Sequence, residues 1–204
     1  MMRASEPEPQ MPRPDLDLAA NMAVLEPYLP LLSGAVRRGF ATYQTHYPHL
    51  VRAAHDNAAA AHNVHRHMLE ELEIAVAGLR GLAMLNTRGL MLLNVHDRAV
   101  ARFKKMDEMG HSSSYPTGQV RNFDQQLPLP GLPPAATRLT IGYEPDLAFS
   151  TIVRVLVSCP LGPHSHWCVQ VNEEPAGEAS WVDITPKRIA STEPFKGYGD
   201  GTDG

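Results

Sequence analysis

The sequence contains little cysteine, few aromatic residues and no long apolar run. Two cysteines in 204 residues cannot build the disulfide framework of a small secreted protein. The opening residues MMRASEPEPQMPRPD lack the apolar segment of a secretory signal peptide. Charged residues interrupt every apolar run before it reaches the length of a membrane span. These absences lead us to expect a cytoplasmic protein with no membrane span.

Basic residues are also fewer than acidic ones, and the common catalytic motifs are missing. The net charge is -4 and the pI is near 6.2, which argues against a dedicated nucleic-acid binder but allows a local basic patch. The chain has no GxxxxGK[ST] or GxGxxG loop, no GxSxG elbow and no HExxH motif. We therefore predict no cofactor.

The amino-acid composition predicts one folded domain between two tails. Apolar residues make up 43% and charged residues 20%, and the length is sufficient for a sizeable core. Proline-rich residues 1–14 and polar, glycine-rich residues 185–204 predict disordered tails. Residues 15–184 are expected to form a single domain, helical over 15–78 and mainly of antiparallel strands over 81–172.

Apolar residues recur at helical spacing throughout the first half of this domain. Two prolines interrupt an early helix, and a second helical piece follows over 31–45. The longest helix is predicted over about 48–77, where an alanine run accompanies a stripe of apolar residues. Gly78 and Gly81 are expected to end it.

Alternating apolar residues and turn residues fill the second half. A hairpin turn is predicted at Asn86–Gly89, and a short helix capped by Thr117 interrupts the strands. The pattern predicts an α+β fold, in which N-terminal helices pack on one face of an antiparallel sheet of about five or six strands. The other predicted strands lie at 98–106, 137–144, 150–159 and 166–172.

Two groups of residues suggest metal ligands, and both have a simpler interpretation. His62 and His65 share a face of the predicted long helix, where Glu70 or Asp56 would add a third ligand. The alternative is histidines that only make hydrogen bonds. The second group surrounds a predicted turn and consists of Cys159, His164, His166 and Cys168. The alternative interpretation of this group is the packing of two buried thiols. Because neither ligand set is complete, we predict that the protein holds no metal.

A basic strand is the third candidate, because three cations occur within four residues of an acidic chain. The period of two places Arg102 and Lys104 on one face, which we expect to be exposed, and Phe103 toward the helices. We expect Phe103 and Trp167 to be structural. A solvated strand face with no ligand is the alternative. The predicted binding residues are Arg102, Lys104, Lys105, Ser113 and Thr117.

The same strand also allows a nuclease hypothesis. Some metal-dependent nucleases place acidic residues on adjacent strands to hold magnesium, with a lysine that polarises the phosphate. Asp97 and Lys104 would be the catalytic candidates. Arg102 occupies a position where the metal needs an acidic ligand, so a glutamate of the long helix would have to replace it. A phosphate-contacting patch of a nucleic-acid-binding regulator is an intermediate interpretation.

Several short motifs follow one another across residues 50–172. They are VHRHM at 64–68, ARFKKMD at 101–107, YPT at 115–117, LPGLP at 129–133, Gly142-Tyr143 and Trp167. In this order they resemble small uncharacterised bacterial proteins of prophage or toxin–antitoxin-like gene pairs, whose neighbour often resembles an ImmA/IrrE-type metallopeptidase with a helix-turn-helix. The resemblance implies membership in a two-gene mobile-element or defence module, and it assigns no catalytic residue.

Three functions therefore stand as hypotheses. The leading one is a toxin-like or partner-binding effector that acts through contact with a protein encoded nearby. The second is a metal-dependent nuclease built around Asp97 and Lys104. The third is a nucleic-acid-binding regulator that uses the basic strand.

Overall fold

A computed structural model describes residues 13–174 and 177–186 of the chain. The predicted tails 1–14 and 185–204 lie outside these residues except for two positions each. Within the described part, no helix is long and apolar enough to cross a membrane. The elements are α1 (Leu18–Leu25), a 3₁₀ turn (Glu26–Tyr28), α2 (Leu29–His46), α3 (His49–Ala54), α4 (Asn57–Val76), β1 (Leu82–Thr87), β2 (Leu90–Val95), β3 (Ala99–Lys105), α5 (Gly118–Asp124), β4 (Thr137–Pro145), β5 (Ile152–Leu161), β6 (His164–Glu173) and β7 (Ala179–Asp183).

The single long helix predicted over 48–77 is wrong, because two helices occupy this range. The chain is extended at His55 and Asp56, between α3 and α4. The Asp56 carboxylate accepts a hydrogen bond of 2.7 Å from the Ala59 amide and so caps α4. Gly78 and Gly81 adopt positive φ after α4 and end the helical half as predicted.

The seven strands form one sheet in chain order, from β1 to β7. Every neighbouring pair is antiparallel except β3 and β4, which are parallel. Their connection, residues 106–136, contains α5 and crosses one face of the sheet, as a parallel pair requires. The α+β class is confirmed, and the strand count is slightly higher than predicted because β7 adds an edge strand.

Both faces of the central strands are covered. On the face toward α2 and α4, Phe103 is fully buried in the principal core, as predicted. Trp167 is buried in the same core, and its indole N–H donates a 2.8 Å hydrogen bond to the Leu16 carbonyl. On the opposite face, Phe123 of α5 packs with Val100 of β3. The strands β3, β4 and β5 are therefore buried on two sides rather than one.

Gly39 sets the close approach of α2 and α4, which gives a testable packing prediction. A Cβ atom at Gly39 would lie 2.6 Å from the Met68 backbone nitrogen. We expect Gly39→Ala to destabilise the protein by about 1–3 kcal/mol, because the helices must move apart. Urea denaturation followed by circular dichroism measures the change.

Gly34 in the same helix is the matched control. A Cβ atom there would meet the Arg38 side chain, whose flexible end can move away. Gly34→Ala is therefore expected to stabilise the protein by up to about 1 kcal/mol through helix propensity. Equal destabilisation by both substitutions would contradict the close contact at Gly39.

Candidate functional site: the end of strand β3

Arg102 is buried, with 3% of its surface exposed, so the prediction of an exposed binding residue is wrong. The connection 106–136, which contains α5, covers the face of β3 on which the period of two places Arg102. The Arg102 Nε donates to Thr140 Oγ1 at 3.0 Å. Its Nη2 donates to Ser112 Oγ at 2.9 Å and to Asp124 Oδ1 at 2.7 Å. The guanidinium carbon lies 4.8 Å from the centre of the Phe123 ring.

Burial dominates the electrostatics around this ion pair. Desolvation raises the pKa of Asp124, although the charge and hydrogen bond of Arg102 act to lower it. Desolvation also lowers the pKa of Lys104, and the neighbouring Arg102 charge lowers it further. Two cations and one carboxylate thus share a poorly hydrated region.

Lys104 and Lys105 line a groove at the C-terminal end of β3. Two adjoining cavities of about 380 Å³ and 460 Å³ share Asn57, Lys105 and Ser113 in their walls. We call this continuous depression the β3 groove. The groove brings the N-terminal half of α4 next to the end of β3 and the segment that follows it, although α4 lies about 40 residues earlier in the sequence.

The two ends of the β3 groove carry opposite charge. Hydrogen bonds from Ser150 lower the pKa of Asp146 at the acidic end. Burial lowers the pKa of His65 to about 4 at the other end, so His65 is neutral at pH 7 and Lys104 supplies the charge there. The acidic end contains Asp107, Glu108, Glu144 and Asp146 beside Leu147, and the basic end contains His62, His65 and Lys104 beside Tyr115.

The predicted hydroxyl residues have different positions. Ser113 is exposed in the middle of the β3 groove, next to Lys105. Thr117 caps α5, where its Oγ1 accepts a 3.2 Å hydrogen bond from the Val120 amide. The sequence correctly predicted this cap, and the cap gives Thr117 a structural role.

Asp97 and Lys104, the nuclease candidates, lie at opposite ends of β3. Asp97 belongs to the turn before the strand and accepts a 2.6 Å hydrogen bond from the Asn94 amide. The strand from Ala99 to Lys104 alone spans roughly 16 Å, and Asp97 lies before it. This pair cannot hold a metal and a scissile phosphate at one centre.

The second predicted ligand set is divided between the two faces of the sheet. Cys159 packs in the principal core, whereas Cys168 packs with Met106 and Leu156 on the other face. Burial raises the pKa of both thiols to about 12, which makes them poor nucleophiles and poor metal ligands. His164 and His166 are exposed.

Two other histidines of the helical half make separate local contacts. His55 Nδ1 lies 2.9 Å from the Tyr43 hydroxyl, and His67 Nδ1 lies 3.1 Å from a Glu70 carboxylate oxygen. Asp56, the other proposed ligand, caps α4. Over residues 13–174 and 177–186, no three His, Cys, Asp or Glu side chains are arranged to hold a metal ion.

Asp124 is the charged partner that the sequence did not reveal. The helix that carries it could be predicted from the Thr117 cap, but its contact with Arg102 depends on the path of the crossover. The acidic end of the β3 groove was also missed, because its residues come from two separate segments of the chain. His62 and His65 were identified only as possible metal ligands.

The chain was compared with protein-family models, with curated proteins and with solved structures, and none of these comparisons gave a match. The resemblance to proteins of toxin–antitoxin-like gene pairs therefore stays a prediction, and function is argued from the site.

Proposed function

We propose that this protein is a partner-binding, toxin-like effector of a two-gene mobile-element or defence module, and that it acts in the cytoplasm through the β3 groove. The observation that carries the proposal is the opposite charge at the two ends of this groove. An extended segment of a partner protein, with a basic residue at the acidic end and an acidic residue beside Lys104, would be complementary to it.

Exposed apolar side chains beside both ends support a protein as the occupant. Leu147 and Tyr115 are 105% and 85% exposed. Aromatic residues that become buried at interfaces often dominate binding energy. The acidic end would repel a nucleic-acid backbone, and Arg102 is buried, so it adds no charge to a surface that such a backbone could contact.

Expression in bacteria tests the toxin-like part of the proposal. The resemblance points to the product of the neighbouring gene as the partner. Expression of this chain alone should slow growth, and co-expression of the neighbouring gene should restore growth and yield a complex that co-purifies. Unaffected growth together with no complex between the two purified proteins would contradict the proposal.

Tyr115→Ala tests whether the β3 groove is the contact surface. We expect binding of the neighbouring gene's product to weaken about 30-fold, the effect of losing an interface hot spot of about 2 kcal/mol. Calorimetry on the purified proteins measures this affinity.

Ile74→Ala is the matched control, because Ile74 is 74% exposed near the opposite end of α4. Its binding should equal that of the unmodified chain. Glu108→Lys, which reverses a charge at the acidic end, should also weaken binding. If both groove variants bind as tightly as Ile74→Ala, the partner uses another surface.

A further inference from the structure

A smaller cavity lies beside the Arg102–Asp124 ion pair, on the sheet face that α5 covers. Its volume is about 190 Å³. Arg102 and its three hydrogen-bond partners, Ser112, Thr140 and Asp124, all contribute to the wall, so the charged ends of the pair lie at this cavity. We call it the Arg102 cavity. The β3 groove is a separate depression, although Ser112 contributes to both walls.

Two hydroxyl groups in this wall have a hydrogen atom left to donate. The oxygens of Ser112 and Thr140 already accept from the Arg102 guanidinium. Among the described residues, neither hydroxyl donates to a protein acceptor. Ser158 differs, because its hydroxyl donates to the Gly110 carbonyl at 2.9 Å. The cavity therefore presents hydroxyl donors whose orientation the guanidinium fixes.

The Arg102 guanidinium keeps one donor group without a partner. Its Nη1 is buried and makes no hydrogen bond to any of the described residues. A buried donor without an acceptor is costly, and an anion in the cavity would supply acceptor oxygens to the guanidinium. Four oxygens around a central atom fit within 190 Å³.

Asp124 restricts which anion can enter. One of its oxygens accepts from Arg102, and the other has no hydrogen-bond partner among the described residues. An oxyanion without a proton would place its lone pairs against this carboxylate. An oxyanion that keeps a proton would instead donate a hydrogen bond to it. At neutral pH phosphate keeps at least one proton, and sulfate keeps none.

We propose that the Arg102 cavity is a binding site for a protonated phosphate group. The hydroxyls of Ser112 and Thr140 and the guanidinium of Arg102 donate hydrogen bonds to its oxygens, and Asp124 accepts a hydrogen bond from the oxygen that keeps the proton. The same chemistry suits free inorganic phosphate and the singly protonated form of a small phosphate monoester. The site is independent of the partner-binding proposal for the β3 groove.

Isothermal titration calorimetry of the full chain at about pH 5.5, where inorganic phosphate and most of the glycerol phosphate keep a proton and sulfate keeps none, tests the proposal with these three anions. We expect saturable phosphate binding at one site and sulfate binding at least 10-fold weaker. Glycerol phosphate that binds as tightly as phosphate identifies a monoester as the ligand, and weaker binding identifies the free ion. No saturable phosphate binding, or equal binding of phosphate and sulfate, would overturn the proposal.

Two variants locate the site. Asp124→Asn should remove most of the preference for phosphate, because the neutral amide no longer repels sulfate. Ser112→Ala should weaken phosphate binding about 10-fold, and it changes only a half-buried loop residue if Asp124→Asn folds poorly. Ser180→Ala, on β7 and outside the cavity wall, is the matched control. Phosphate binding by Ser112→Ala that equals the binding by the control would place any phosphate site elsewhere and overturn the assignment.

Discussion

Replacing Asp124 with alanine is expected to destabilise the protein by about 3 kcal/mol. Among the described residues, Asp124 is the one carboxylate that pairs with Arg102, whose side chain is 4% exposed. Loss of one partner from a buried ion pair typically costs about 3–5 kcal/mol, because the remaining charge stays desolvated. The 23% exposure of the Asp124 side chain places the expectation at the lower limit of that range. Urea denaturation gives the free energy of unfolding.

A second substitution separates the charge effect from lost packing. Combining Asp124→Ala with Arg102→Met removes both charges, and it should recover most of the lost stability because an apolar side chain suits this buried place. Glu73→Ala, at an exposed position on α4, is the surface control and should change stability by less than about 0.5 kcal/mol. A double variant less stable than Asp124→Ala would show that the Arg102 hydrogen bonds, not its unpaired charge, govern stability.

Replacing Phe103 with alanine should produce a loss of about 3–5 kcal/mol. Phe103 has 0% exposure and belongs to the principal core between the sheet and the α2–α4 layer. Removing the ring leaves a cavity in the middle of β3, which both neighbouring layers would have to fill. Thermal and urea denaturation of the purified variant measure the loss.

Lys105→Ala is the control in the same strand, because Lys105 is only half-buried. It should change stability by less than about 1 kcal/mol. If Phe103→Ala and Lys105→Ala have the same midpoint of denaturation, the ring does not pack as the structure has it. Because Phe103 lines neither the β3 groove nor the Arg102 cavity, its substitution should affect ligand binding only through stability.

The sequence by itself determined the local features of the fold. The turn at Asn86–Gly89 forms because the Asn86 side chain accepts a 3.0 Å hydrogen bond from the Gly89 amide. The Thr117 cap and the glycines after α4 also depend on nearby residues alone. These interactions have short range, so residue type and spacing are sufficient to predict them.

The position of Phe103 was also predictable, since the period of two requires one face of β3 to meet the core. The opposite face was not predictable. Whether Arg102 would meet solvent depended on the path of residues 106–136, which a pattern of side chains does not encode. Arg102 is buried because α5 returns over this face and presents Asp124 at 2.7 Å.

The positions of both candidate sites also depend on the tertiary structure. The β3 groove joins the start of α4, the end of β3 and the β4–β5 turn, and the Arg102 cavity joins β3, β4 and α5. Each residue type was visible in the sequence, but a pattern of residues contains no distance between side chains that lie far apart along the chain. Packing of distant segments fixed those distances, because covering both faces of a central strand buries more apolar surface than leaving one face in water.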